Sequence, residues 1–133
     1  MHTAELTLHT GTRVVTDITG EAGDFCAGLG DGLLSVFVPH ATAGVALMET
    51  GSGSEPDLEA ALERLLPRQD MYRHGHGSLG HGRDHVVPAF IAASLVVPVL
   101  DGRPALGVWQ SIVVVDTNGD NGTRHVRLSF LAG

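Results

Sequence analysis

Apolar and polar residues alternate in Ala4-Glu5-Leu6-Thr7-Leu8-His9-Thr10, the period of a strand with one face buried. Gly11-Thr12 turns the chain into a second strand, Arg13-Val14-Val15-Thr16-Asp17-Ile18. A short helix is expected after Thr19-Gly20, closing near Gly28 or Gly30, because glycine commonly ends a helix. Gly32-Leu33-Leu34-Ser35-Val36-Phe37-Val38-Pro39 has the β-branched and aromatic content of a buried strand, and Gly44-Val45-Ala46-Leu47-Met48-Glu49 predicts another. Ser54 suits an N-cap, with Glu55 and Pro56 in the first turn. Leu58, Leu62, Leu65 and Leu66 then fall at helical spacing until Pro67 stops the run.

Between residues 68 and 84 the periodicity disappears into glycines (Gly75, Gly77, Gly80, Gly82) and histidines (His74, His76, His81). A loop this long is uncommon in a compact domain and is more often functional than idle. Leu95-Val96-Val97-Pro98-Val99 resumes the strand pattern, and Asp101-Gly102 is a two-residue hairpin signal. A return strand is expected over 105–115 and a last strand over 124–130, joined by Asn118-Gly119-Asp120-Asn121-Gly122. This order predicts one α+β domain spanning 1–133, a largely antiparallel sheet with two helices packed on it.

The balance of charge narrows the partners. Eight Lys plus Arg face fifteen acids, a formal charge of −7, and no basic cluster is present to engage a phosphate backbone. Nucleic acid is therefore not an expected partner. No apolar run approaches the roughly 20 residues that span a bilayer, so no membrane role is expected either. The first residues lack the basic-then-apolar layout of a signal peptide, and Cys26 is the lone cysteine; both point to the cytoplasm. Cys26 lies in Phe25-Cys26-Ala27-Gly28-Leu29 and reads as a small buried hydrophobe, with a nucleophilic role the lesser alternative.

Histidine is the residue that changes this picture. Four of the eight, His74, His76, His81 and His85, fall within one glycine-rich tract whose backbone can fold tightly enough to converge imidazoles. Neutral imidazole is a common ligand for transition metals. The tract lacks the tight spacing of established zinc motifs, so a solvated linker or an adventitious metal scavenger stands beside the metal-site reading. His40 ends a hydrophobic strand beside the small residues Ala41-Thr42-Ala43-Gly44, where a ligand or catalytic group is held rigidly; strand capping is the alternative. Glu49 closes the next strand, either to orient a histidine or act as a base, or as an exposed acid. Trp109 suggests core packing, with Gln110 offering a donor and an acceptor to a ligand. Asp116 and Arg124 are expected to pair across a hairpin at the surface, contributing about 1 kcal/mol at most. His125, beside Arg124, reads as a solvent-facing sheet residue.

His40-Ala41-Thr42-Ala43, Glu49, Glu55-Pro56, Tyr72-Arg73-His74, His85, Ser94-Leu95, Gly107-Val108-Trp109-Gln110 and Arg124 occur in the order and spacing of the YjbQ-type family. The chain resembles that family, which is named for a secondary thiamine-phosphate synthase activity, from about residue 7 to its end. The resemblance implies a homotrimer with a site near subunit boundaries. It further implies His40, His74 and His85 as motif histidines, joined here by His81 as candidate ligands of a divalent metal of the zinc or magnesium class. His40, Glu49 and Arg124 become the candidate catalytic residues. Thr42, Trp109, Gln110 and Asp116 become candidate contacts to a small phosphorylated substrate. Arg124 and Arg83 are the cations expected to help hold a leaving pyrophosphate.

The departures bear on that expectation. Ala41 stands where the family carries Thr, Ala61 where it carries an acid, and Val87 where it carries Lys. His81 replaces an Asn or Asp, which adds a metal ligand while the missing lysine removes a phosphate-binding charge. A metal-dependent hydrolase and a non-enzymatic metal or anion binding module are the competing functions.

Overall fold

The computed structural model describes residues 1–69 and 71–133. Every strand pairing is antiparallel. One sheet contains β1 (His2–His9), β3 (Gly32–Phe37), β5 (Ser94–Leu100), the short β6 (Arg103–Pro104) and β8 (Thr123–Ala132), in the order β1-β8-β3-β5-β6. The other contains β2 (Val15–Asp17), β4 (Ala43–Met48) and β7 (Ser111–Asp116), in the order β2-β7-β4. Helix α1 (Thr19–Cys26) and helix α2 (Ser54–Leu65) complete the α+β domain.

The five-stranded sheet follows the period-2 pattern. Leu34, Val36, Val97, Val99, Val126, Leu128 and Phe130 face inward and are buried. The three-stranded sheet differs because β7 is covered on both faces. Ile112 and Val114 join the main core, while Val113 and Val115 pack with Leu62 of α2. An uninterrupted run of β-branched residues is what a doubly covered strand requires. Helix α1 closes the main core with Ala22 and Cys26, each fully buried. The thiol is thus a core hydrophobe, and burial pushes its pKa up.

Four local expectations are corrected. Helix α2 begins at Ser54 itself, with Gly53 in the capping position and no side-chain cap; Glu55 reaches back instead, its carboxylate accepting the Gly51 N–H at 3.1 Å. Leu65 is exposed rather than packed, so Leu58, Leu62 and Leu66 carry the apolar face. The strand expected over 105–115 is divided between sheets. Asp101 and Gly102 form the predicted turn, with φ of 50° and 71°, but only Arg103–Pro104 pair with β5. Gln110 then folds back on Gly107, accepting its N–H at 2.8 Å, and β7 starts in the second sheet. Trp109 lies on this turn and is 72% exposed, so it does not pack in the core.

Candidate metal centre

Helix α2 ends before Pro67, and the chain enters the glycine-rich tract. It is organised by buried polar contacts instead of apolar packing. Asp84 is fully buried in a 3₁₀ turn, His81–His85. Arg68 donates to both of its carboxylate oxygens, at 3.0 and 3.3 Å, and Thr117 donates its hydroxyl at 2.6 Å. Arg68 also donates to the Thr117 carbonyl at 2.6 Å. Arg83 is anchored to Glu63 at 2.7 Å and to the Leu66 carbonyl at 3.0 Å. Tyr72 donates its hydroxyl to the Pro67 carbonyl at 2.9 Å. Leaving the fully buried Asp84 carboxylate unpaired would cost roughly 1–3 kcal/mol or more, so the network specifies one loop conformation.

Glycine is required at two points of this path. Gly77 adopts φ +83°, and a Cβ there would stand 2.6 Å from the His81 ring. Gly80 adopts φ +75° at the start of the 3₁₀ turn, where a Cβ would stand 2.7 Å from Arg68 Cγ. Side chains at either position would collide with the groups that build the site.

The result is a cluster of imidazoles. His74, His81 and His85 each offer a ring nitrogen, and these atoms lie within 4.8 Å of one another, close enough to bind one metal ion. Nε2 of His81 and Nε2 of His85 are 2.9 Å apart. Nδ1 of His74 is buried with no hydrogen-bond partner among the described residues. An orphaned buried nitrogen and two converging neighbours are what a ligand set shows before its ion is counted. Removal from water, then the neighbouring His76 and His81, holds His74 below the ordinary histidine pKa. His85 is lowered by removal from water and then by His74, His81 and His76, against the opposing pull of Asp84. Both shifts favour the neutral, ligating form. His76, the fourth histidine of the tract, is not one of the three converging ligands: its ring centroid lies 4.0 Å from that of His74, and it is exposed at the mouth. A pocket of about 250 Å³ opens beside the cluster, lined by Tyr72, His74, His76, Ser78 and His81.

The other predicted site residues fall into two groups. His40, Thr42, Asp116 and Arg124 meet where β4 begins and β7 ends. Arg124 is ion-paired through Nε to Asp116 and donates to Thr42 Oγ1 at 3.4 Å. The pair is buried, with side chains 5% and 2% exposed, which corrects the surface pair expected from sequence. His40 does not join the metal cluster within this chain: its Nε2 lone pair accepts the His125 N–H at 2.9 Å. Removal from water and the Arg124 charge hold His40 below its ordinary pKa, only partly offset by Asp116. The His125 side chain is half exposed beside Glu5, as expected. Glu49, Trp109 and Gln110 sit at the opposite end of the β4–β7 pair, a strand length of roughly 17 Å away. Arg83 is paired with the exposed Glu63, and Arg124 with the buried Asp116.

Fold and site together define a small antiparallel α+β protein built around a histidine cluster able to hold a metal. The family model for UPF0047 protein YjbQ-like matches residues 4–133. The chain belongs to the YjbQ (UPF0047) family. It is 58% identical, over the full length of both chains, to a UPF0047 protein of Mycobacterium tuberculosis. It is 36% identical to a UPF0047 protein of Archaeoglobus fulgidus over 96% of this chain and 99% of that one. A crystal structure of a hypothetical protein from Aeropyrum pernix superposes with a TM-score of 0.89, at 32% identity and covering 100% of both chains. A YbjQ-like protein of unknown function from Sulfolobus solfataricus shares the fold, with a TM-score of 0.91 at 23% identity over 99% of this chain and 97% of that one.

Proposed function

We propose that this protein is a metal-dependent enzyme acting on a small phosphorylated molecule, with His74, His81 and His85 as the metal ligands. The observation that carries this reading is the convergence of three imidazole nitrogens within 4.8 Å beside an open pocket. Three protein ligands with one side open is the arrangement of catalytic rather than structural zinc sites. An all-nitrogen donor set suits zinc and its neighbours, whereas magnesium prefers oxygen ligands. A bound divalent ion supplies Lewis acidity toward a phosphoryl oxygen or a water molecule. The chain's own residues do the rest: Asp84 and Arg68 hold the ligand loop in place, and His76, exposed at the mouth, is placed to accept a proton.

Hydrolysis is favoured over thiamine-phosphate synthesis, in which hydroxymethylpyrimidine diphosphate would be joined to a thiazole phosphate. Synthesis needs a cationic cradle for the departing pyrophosphate. Arg83 and Arg124 are already paired, and Val87 is a buried apolar residue at the family's lysine position. Glu49 serves as base only if another subunit brings it to the cluster, since it lies at the far end of β4.

Assembly as a homotrimer is supported by the outer face of the five-stranded sheet. Leu33 pairs in register with Leu131 and Pro98, and Phe37 and Val96 share that face, all exposed. An apolar sheet face of this kind marks an association surface. The formal charge of −7 supports a partner other than nucleic acid. Among the described residues no helix is long and apolar enough to cross a membrane. A free buried thiol suits the cytoplasm.

Elemental analysis of tag-free protein, beside the His74→Ala/His85→Ala double variant, tests the reading. About one metal ion per chain, absent from the variant, is the expected result. Native protein that neither carries nor takes up zinc would refute it.

A further inference from the structure

His81 is the most deeply buried of the three clustered imidazoles, and two carboxylate oxygens lie close to its Nδ1. That nitrogen lies 3.3 Å from Asp84 Oδ2 and 3.5 Å from Asp120 Oδ2. Among the described residues this nitrogen completes no hydrogen bond with a donor or an acceptor, so the two carboxylates act on it through charge at short range. A ring lone pair facing two carboxylates is repelled, whereas an N–H facing them is attracted. Nδ1 therefore carries the proton, and Nε2 keeps its lone pair. Nε2 is also the atom that meets His85.

Asp84 is suited to impose this choice because it is immobile. It is fully buried, and its Oδ1 receives Thr117 Oγ1 at 2.6 Å and Arg68 Nη2 at 3.0 Å. These donors fix the carboxylate plane and leave Oδ2 toward His81, shared only with Arg68 Nη1. Thr117 directly follows Asp116, so the same chain segment anchors both the metal cluster and the buried Asp116–Arg124 pair.

We propose that Asp84 is a positioning residue: clamped by Arg68 and Thr117, it holds His81 in the Nδ1–H tautomer and turns the Nε2 lone pair into the cluster. This rests on reading the cluster as a metal site, and it names the residue that prepares the ligand before any ion arrives. A ligand's outer partner of this kind commonly alters metal affinity by roughly 10–100-fold. The clamp also dictates what Asp84→Asn does. The amide oxygen remains with Thr117 and Arg68 Nη2, and the NH₂ takes the place of Oδ2, giving up the 3.3 Å bond that this atom accepts from Arg68 Nη1. It then donates to His81 Nδ1, which drives the proton to Nε2 and blocks the ligating lone pair.

The test begins with metal-free native protein labelled with ¹⁵N at histidine, at about pH 8, where an ordinary imidazole is neutral. Long-range ¹H–¹⁵N spectra report which nitrogen of each ring is protonated. The expected result is His81 protonated at Nδ1 in the native protein and shifted toward Nε2–H in Asp84→Asn. Zinc affinity of that variant should fall roughly 10–100-fold, and Thr117→Val should produce a smaller fall of the same kind. An Nε2–H tautomer in the native protein overturns the proposal, as does an Asp84→Asn protein with the native tautomer and affinity within about twofold of native. The native spectrum needs neither a variant that folds nor an ion that binds. Failure of native protein to bind zinc therefore defeats the functional reading alone.

Discussion

Replacing Asp116 by Ala strands the Arg124 guanidinium in the interior. The Arg124 side chain is 5% exposed, and its other side-chain hydrogen bond is a 3.4 Å contact to the uncharged Thr42 hydroxyl. Asp116 also accepts the Asn118 N–H at 2.9 Å, so the corner leading to Thr117 loses a second contact. Removing one partner of a buried pair costs about 3–5 kcal/mol, because the remaining charge is left uncompensated. Unfolding entropy of about 2.1 cal/mol/K per residue over 133 residues converts this into a fall in Tm of roughly 11–18 °C. The double variant Asp116→Leu/Arg124→Met removes both charges and should recover most of the loss. Thermal and urea unfolding followed by circular dichroism, at fixed protein concentration, measures both. A loss below about 1 kcal/mol for Asp116→Ala is what a solvated surface pair would give, and it would refute the burial argument.

Gly77→Ala places a side chain at φ +83° and against the His81 ring; it should lower zinc affinity at least about 10-fold while leaving core stability nearly unchanged, read by calorimetric titration and urea unfolding. Folded-state pKa values of His40, His74 and His85 all lie below the reference of 6.5, so the unfolded chain binds protons first as pH falls. Stability of metal-free protein should therefore be full above about pH 7 and decline as pH drops below 6.5, and a flat urea midpoint between pH 7.5 and 5.5, set to bracket the reference value, would contradict this. Leu128→Ala, at a fully buried position between β1 and β3, should cost about 2–5 kcal/mol by the same unfolding assay.

The strands are legible wherever one face is buried, as in β1 and β8, because the alternation follows directly from the pleat. Strand β7 is legible as apolar, yet its partner sheet is not. Val113 and Val115 serve one core while Ile112 and Val114 serve the other, and composition is the same for both. The split of the 105–115 stretch also escapes local rules, since a fold-back by Gln110 onto Gly107 moves the chain between sheets. At the site, histidines among glycines announce convergence, and His74, His81 and His85 do meet. The supporting shell is illegible because it is assembled from afar. Arg68 and Asp84 are 16 residues apart, and Thr117 lies 33 residues beyond Asp84. His40 looks equally suited to ligation in sequence, but the His125 backbone occupies its lone pair.

The central claim is that one ion is bound through imidazole nitrogens of the 74–85 tract. X-ray absorption at the zinc edge of zinc-loaded protein tests it most directly, because multiple scattering from imidazole rings counts histidine ligands. Three are expected in the native protein, falling to two in His81→Ala. A first shell made only of oxygen ligands, or a histidine count unchanged by His81→Ala, would contradict it.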